Sequence, residues 1–205
     1  MTLLERLPDV RHDDVHDGVP TARALETERL CLRALQRADA GAIAKLANDR
    51  RIAENTASMP HPYTLADAED FLRRVETSPG EVAFAITLTD GALVGGCGLK
   101  RDRSNATEIG YWLGVPYWGQ GYATEAARAL IDHAFGDLGL DHLEADARVS
   151  NPASRRVLEK CGFQWSRVVL RRVRATASSA PVDHFRLDRG LWASLKAWGQ
   201  AKRVA

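Results

Sequence analysis

Cysteine is scarce in this chain. Cys31, Cys97 and Cys161 are the only three in 205 residues. An odd number of distant cysteines argues against a disulfide framework, matches no metal-ligand spacing and suits a reducing compartment. No apolar run approaches the roughly 18 residues of a membrane span, and the stretch from Met1 to Asp14 has no basic leader followed by an apolar segment. Neither sign of charge dominates: 28 Lys and Arg stand against 27 Asp and Glu, a net charge of +1. That balance points to neither nucleic acid nor a membrane surface as partner. His61, His133, His142 and His184 form no metal-binding pattern and read as surface or packing residues. The expectation is a cytoplasmic protein that holds no metal, with 45% hydrophobic residues for one sizeable core.

What is present reads as one domain behind an extension. Residues 1–22, with Pro8, Gly18 and Pro20 and no sustained periodicity, predict an irregular N-terminal extension; residues 23–205 predict a single domain. Within it, Thr27 to Leu35 reads as a strand and Arg37 to Asp49 as a helix. Thr64 reads as the N-cap of a second helix carrying Leu65, Ala68, Phe71, Leu72 and Val75 at helical spacing. Val82 to Leu88 and Leu93 to Lys100 form a hairpin around Asp90 and Gly91, and Arg101 to Asn105 is a polar turn. Thr107 to Val115 is a strand feeding a glycine-bearing turn. In His142 to Val149, Leu143, Ala145, Ala147 and Val149 alternate with His142, Glu144, Asp146 and Arg148, the pattern of a half-buried strand. Phe163 to Arg171 and Asp183 to Leu187 read as the last strands, with a helix over Gly190 to Lys202. The order implies an α+β architecture, a mixed and mostly antiparallel sheet flanked by helices.

The stretch Gly110 to Ala126 carries the most chemistry. An alternating strand runs into Gly119, Gln120 and Gly121 and then into an alanine-rich helix. Backbone N–H groups from Gly119 through Gln120, Gly121, Tyr122 and Ala123 to Thr124 would converge at a helix N-terminus, where unpaired donors and the positive dipole end favour an anion. No Lys followed by Ser or Thr comes after Gly121, so a P-loop is excluded. Thr124 stands where a dinucleotide fingerprint wants Gly or Ala, which weakens that reading too. Two glycines alone fit an ordinary strand-to-helix turn equally well.

The surrounding blocks decide between these readings. Gly121 and Ala123 in the turn, with Trp118 in place of the usual Gln or Arg, and the block from Asn151 to Phe163 (NPASRRVLEKCGF) resemble the GNAT superfamily of N-acetyltransferases. The resemblance runs from about Thr27 to Trp192, within the branch of the ribosomal-protein N-terminal (Rim-type) acetyltransferases. It implies the GNAT fold, whose two central strands splay apart, and transfer of acetyl from acetyl-coenzyme A to a primary amine by direct attack. The turn would then grip the diphosphate, and the strand edge at Leu113, Gly114 and Val115 would pair with the pantetheine arm, with a backbone N–H near Leu113 as oxyanion donor. Glu108 shares strand parity with Gly110, Trp112 and Gly114, which makes it the candidate general base; a solvated edge carboxylate is the alternative. Ser154 is the candidate proton donor to the coenzyme sulfur and Asn151 the candidate for orienting pantetheine. The family's frequent tyrosine four residues beyond Ser154 is Leu158 here.

The acceptor expected from the branch is a protein N-terminal amine, admitted between the region of His61, Pro62 and Tyr63 and the loop after Arg171. A small-molecule amine or aminoglycoside is the alternative, and a non-catalytic acyl-coenzyme A sensor is the alternative from another class. The enzyme is expected to work as a monomer or homodimer. Trp112, Tyr117 and Trp118 read as core rather than platform. Arg171, Arg172 and Arg174 fit a solvated hairpin better than a contact for an acidic substrate.

Overall fold

The computed structural model describes residues 23–101 and 106–204. The expected N-terminal extension and most of the polar turn before Thr107 lie outside the described residues. The elements are β1 (Leu25–Glu26), β2 (Leu30–Ala34), α1 (Ala40–Ala47), α2 (Arg50–Ala53), α3 (Leu65–Thr77), β3 (Glu81–Leu88), β4 (Leu93–Arg101), β5 (Thr107–Leu113), α4 (Tyr122–Gly136), β6 (His142–Arg148), α5 (Pro152–Lys160), β7 (Gln164–Val173), β8 (Ser178–Asp188) and α6 (Arg189–Val204). The strands form one sheet in the order β1-β2-β3-β4-β5-β6-β8-β7. Each neighbouring pair is antiparallel except β5 and β6, which are parallel.

Alternation along the strands separates two faces. On one, Ile109, Leu113, Leu143, Ala145, Ala147, Phe185 and Leu187 join Ala126, Ala127, Leu130, Ile131, Ala134 and Phe135 of α4 in the main core. Burying each Leu or Phe there contributes about 1.5–3 kcal/mol relative to exposure. On the other face a smaller core, Ala40, Ile43, Ala47, Tyr63, Ala68 and Leu72, packs α1 and α3 onto the sheet with Leu93 and Trp112 against it. The alternation predicted over His142 to Val149 is observed as far as Arg148: Leu143, Ala145 and Ala147 are buried and the polar partners between them half-buried, while Val149 lies past the strand and is exposed.

The last strand begins at Ser178, five residues before the expected Asp183, and three other boundaries differ from expectation for a local reason. The strand expected from Thr27 is β2 and begins at Leu30, because Thr27 closes a turn in which its hydroxyl accepts the Leu30 N–H at 3.0 Å. The helix expected over Arg37 to Asp49 is broken at Asn48 and Asp49: Asp49 is extended and caps α2 by accepting the Arg51 N–H, while Asn48 Oδ1 accepts the Tyr63 N–H at 3.0 Å. The strand expected to reach Val115 ends at Leu113, and Val115–Tyr117 is a 3-10 turn with a proline near its start. The indole of Trp118 donates to the Leu113 carbonyl at 2.8 Å and seals that end.

The capping inference at Thr64 holds. Its hydroxyl accepts the Asp67 N–H and the Asp67 carboxylate accepts the Thr64 N–H, a reciprocal capping box. Thr64→Ala removes one acceptor and is expected to cost about 1 kcal/mol, a fall of roughly 2–4 °C in Tm for a domain of this size. Scanning calorimetry on the purified variant checks it, and an unchanged Tm would show that Asp67 suffices.

Candidate active site

The site begins where two strands part. β5 and β6 share a single register position, Glu108 opposite Glu144, whereas β6 pairs with β8 along its whole length. Beyond Glu108 the two parallel strands no longer pair, and their C-terminal ends lead to the N-termini of α4 and α5. The opening therefore has a carboxylate at its closed end and two positive helix ends at its mouth.

Backbone direction along β5 follows from one bond. Gly114 donates its N–H to Val94 of β4 at 2.9 Å. Because backbone groups alternate sides in an antiparallel strand, the amides of Leu113 and Tyr111 turn the other way, into the gap that β6 leaves. Leu113 thus keeps its expected place as a donor toward the gap. Gly114, spent on Val94, and Val115, in the 3-10 turn, leave the strip of strand edge proposed from sequence.

The turn at the mouth is open. Gly119 (φ 75°) and Gly121 (φ 85°) adopt left-handed conformations that an L side chain resists, and Gly119, Gln120 and Gly121 are exposed. The N–H groups of Tyr122 and Ala123 lie in the first turn of α4, which offers them no intrahelical acceptor. Thr124 drops out of the predicted set, because its N–H already bonds Gly121 O at 3.1 Å. Arg29, which sequence reading passed over, stands over this turn: its Nη1 donates to Gln120 O at 3.0 Å and its guanidinium lies 4.7 Å from the centre of the Tyr122 ring. Glu125 pins it through Arg29 Nε at 2.8 Å and also accepts from the Thr27 hydroxyl at 2.6 Å.

At the closed end Glu108 is open to solvent yet recessed among polar side chains. Its carboxyl is held above the ordinary carboxylate value, first by desolvation among the surrounding strands and then by the charge of Asp146, with Arg171, Lys100 and His184 pulling it back. Asp146 accepts from Arg171 Nε at 2.6 Å and meets His184 Nδ1 at 2.8 Å. His184 Nε2 stands 3.7 Å from Glu144. With 3% exposure, His184 is neither a surface residue nor an apolar packing residue; it holds two carboxylates beside Glu108.

Across the gap, Asn151 Oδ1 caps α5 by accepting the Ser154 N–H at 3.1 Å. That leaves its amide nitrogen for any role toward pantetheine. The Ser154 hydroxyl lies 3.0 Å from the Tyr111 hydroxyl, which also donates to the Ser154 carbonyl at 3.2 Å. Burial raises Tyr111 far above the ordinary phenol value, only partly offset by Ser154, so it stays protonated. Leu158, where the family often carries tyrosine, is a buried core residue.

Residues 29–164 match the model of the acetyltransferase (GNAT) domain. The chain belongs to the GNAT family. The uncharacterized N-acetyltransferase p20 of Bacillus licheniformis is 31% identical over 147 residues, 68% of this chain and 82% of that protein. The ribosomal-protein-serine acetyltransferase of Escherichia coli is 38% identical over 60 residues, 29% of this chain and 34% of its own. The spermidine N-acetyltransferase of Vibrio cholerae, solved with CoA and spermine, shares the fold with a TM-score of 0.70 at 21% identity, covering 82% of this chain and 99% of that one. This GNAT protein is an acetyl-coenzyme A-dependent N-acetyltransferase.

The mouth of the gap fits the diphosphate of the co-substrate. A Cβ built on Gly119 meets nothing within 4 Å, so the glycine leaves room on the approach side, and Arg29 adds a cation beside the open amides. Among the described residues no group of three His, Cys, Asp or Glu side chains is placed to hold a metal, and no helix is long and apolar enough to cross a membrane.

Sequence reading missed Arg29 and Tyr111. Arg29 left one usable signal, its position in the turn before β2 with Glu125 in the first turn of α4. Tyr111 left only its parity, opposite to that of Glu108, on a strand already singled out.

Proposed function

We propose that this acetyltransferase modifies the N-terminal amine of a protein or peptide. The observation that carries the reading is the parting of β5 and β6 immediately beyond Glu108, with the glycine turn at the open end. Acetyl-coenzyme A supplies the activated acyl carbon. The amides of Gly119, Gln120, Gly121, Tyr122 and Ala123, with Arg29, hold its diphosphate. The Leu113 N–H receives the negative charge that develops on the carbonyl oxygen. Glu108, directly or through one water, removes a proton from the acceptor ammonium, and its raised pKa brings it nearer to the working range of a base. Asn151 orients the pantetheine arm. The proton for the departing thiolate passes through the Ser154 hydroxyl, which recovers one from solvent, while the protonated Tyr111 holds that hydroxyl in place at 3.0 Å; the family's tyrosine is Leu158 here.

The choice of a peptide acceptor is supported by similarity to a ribosomal-protein-serine acetyltransferase. A polyamine acceptor is the second reading, favoured by the likeness of fold to a spermidine enzyme. Thiol release measured with acetyl-coenzyme A over a panel of N-terminal peptides and of small amines decides between them. Peptide turnover with inert spermidine is expected; the reverse pattern overturns the proposal.

The hydroxyl pair gives its own test. Ser154→Ala is expected to lower kcat about tenfold or more, within the range of positioned proton transfer. Tyr111→Phe should lower it less while leaving KM for acetyl-coenzyme A near the original. Steady-state kinetics checks both, and full activity in Ser154→Ala would assign the thiolate proton to water.

A further inference from the structure

A cavity of about 400 Å³ lies between the α2–α3 connection and the β7–β8 hairpin, lined by Ala57, Ser58, Arg74, Arg172, Arg174 and Ala177. Three of the six lining residues are arginines, and among the described residues none of the lining is acidic. Their acidic neighbours stand outside the lining and at long range: Asp67 is 3.7 Å from Arg174 and Glu81 is 3.6 Å from Arg74. The close pairs in the same molecule, Arg171 with Asp146 and Arg33 with Asp39, measure 2.6 and 2.8 Å. Arg172 has no acidic partner within 4.0 Å among the described residues. Gathered, like-charged and incompletely paired guanidinium forks are donors for a carboxylate or phosphate.

The cavity is bordered by chain segments that also reach toward the Glu108 end of the sheet. Arg171, one residue along β7 from Arg172, reaches Asp146, whose charge acts on Glu108. At the end of β6, Arg148 donates to the Glu54 carbonyl, and its buried Nε has no hydrogen-bond partner among the described residues. A buried cationic donor with nothing to bond calls for an acceptor atom. Three residues further on, the Ala57 carbonyl takes the Arg174 N–H at 3.0 Å and ties the hairpin to the α2–α3 connection. Arg148 and the cavity therefore border the same loop.

We propose that this cavity receives a carboxylate or phosphate carried by the acceptor, so that the enzyme selects amines that bear an anionic group away from the reacting nitrogen. The proposal rests on the acetyltransferase reading of the Glu108 site and adds the charge class of its acceptor. An acidic side chain close behind a peptide N-terminus supplies that group, and so does a small amino acid or phosphorylated amine. Polyamines and aminoglycosides are repelled by the same three arginines. The net charge of +1 conceals this patch, because it averages over the whole chain.

The test compares the peptides Ser-Glu-Glu-Ala, Ser-Gln-Gln-Ala and Ser-Lys-Lys-Ala with glutamate, O-phosphoethanolamine and spermidine as acceptors, with acetyl-coenzyme A binding measured by calorimetry on the same preparation. An acidic acceptor is expected to show a KM about tenfold or more below its neutral counterpart, the equivalent of one well-made charged contact. Whether the peptide or the small anions are used identifies the source of the anion. Arg172→Ala should raise KM for the acidic acceptor about tenfold with kcat within about twofold, and Arg172→Glu should transfer the preference to the Lys peptide. Calorimetric titration of Ser-Glu-Glu-Ala into the coenzyme A complex reads the cavity without turnover: binding in the parent enzyme, weakened in Arg172→Ala, is expected. Equal use of acidic, neutral and basic acceptors, or peptide binding indifferent to Arg172, overturns the anion site and leaves the acetyltransferase reading intact. Failure to bind acetyl-coenzyme A overturns that reading instead, and the peptide titration still decides the cavity.

Discussion

Gly121→Glu is expected to weaken coenzyme A binding by about 100-fold or more, close to 2.7 kcal/mol. Two effects combine. The N-cap position of α4 has φ 85°, and placing an L side chain there costs about 1–2 kcal/mol. The new Cβ would stand 3.3 Å from Arg29 Nη2, so the added carboxylate competes with Glu125 for Arg29 and brings negative charge to the place proposed for a diphosphate. Gly119→Ala separates strain from charge. Its φ is 75° but its Cβ meets nothing within 4 Å, so a loss of only about tenfold is expected. Titration calorimetry with coenzyme A, beside a melting curve for each variant, measures both. Parent-like affinity in a folded Gly121→Glu protein would remove the turn from the binding site, and the donor would have to be held elsewhere.

Glu108→Gln is expected to lower kcat by roughly 100-fold at neutral pH, the lower end of general acid-base contributions, with little change in affinity for acetyl-coenzyme A. The pH profile carries the sharper result. A base acts only when ionised, so in the parent enzyme activity rises through a carboxyl value displaced upward by desolvation and by Asp146. In the variant that limb disappears. Stability should move in the opposite sense. A carboxyl whose folded value lies above its unfolded value contributes stability below the unfolded value and loses it as pH rises through the folded one. Ionised Glu108 thus works against the fold at neutral pH, and Glu108→Gln should melt higher than the parent at pH 7. The gain should vanish below the ordinary value of 4.5, where both side chains are neutral. A variant with parent rates across the whole pH range would leave Glu108 as a mere neighbour of the Asp146 and His184 pair.

Much of the fold is legible in the chain because it rests on short-range rules. The Thr64 cap, the Asp90-Gly91 hairpin and the alternation of Leu143, Ala145 and Ala147 each involve residues a few positions apart, where periodicity and turn chemistry act directly. The boundaries that moved did so through contacts that periodicity does not register. Asn48 turned out of the first helix to meet the Tyr63 N–H, 15 positions away, and Gly114 and Val115 left the strand edge because Val94 and the Trp118 turn claimed that backbone. The arginine cluster is exposed on the β7–β8 hairpin as expected, and only its pairing was out of reach of the sequence. Arg171 bonds Asp146, 25 positions away, and Arg172 and Arg174 border a cavity with Arg74, which arrives from a different helix.

What the sequence determined by itself was the family and the glycine turn, and it singled out Glu108, Asn151 and Ser154 as candidates, because these are local patterns of spacing and conformational freedom. What the tertiary structure alone decided was company: Tyr111 with Ser154 across 43 positions and Arg29 over Gln120 across 91. Proton relay and anion binding depend on atoms within about 3 Å of one another, and chain order does not specify such distances until the sheet has formed and β5 and β6 have parted.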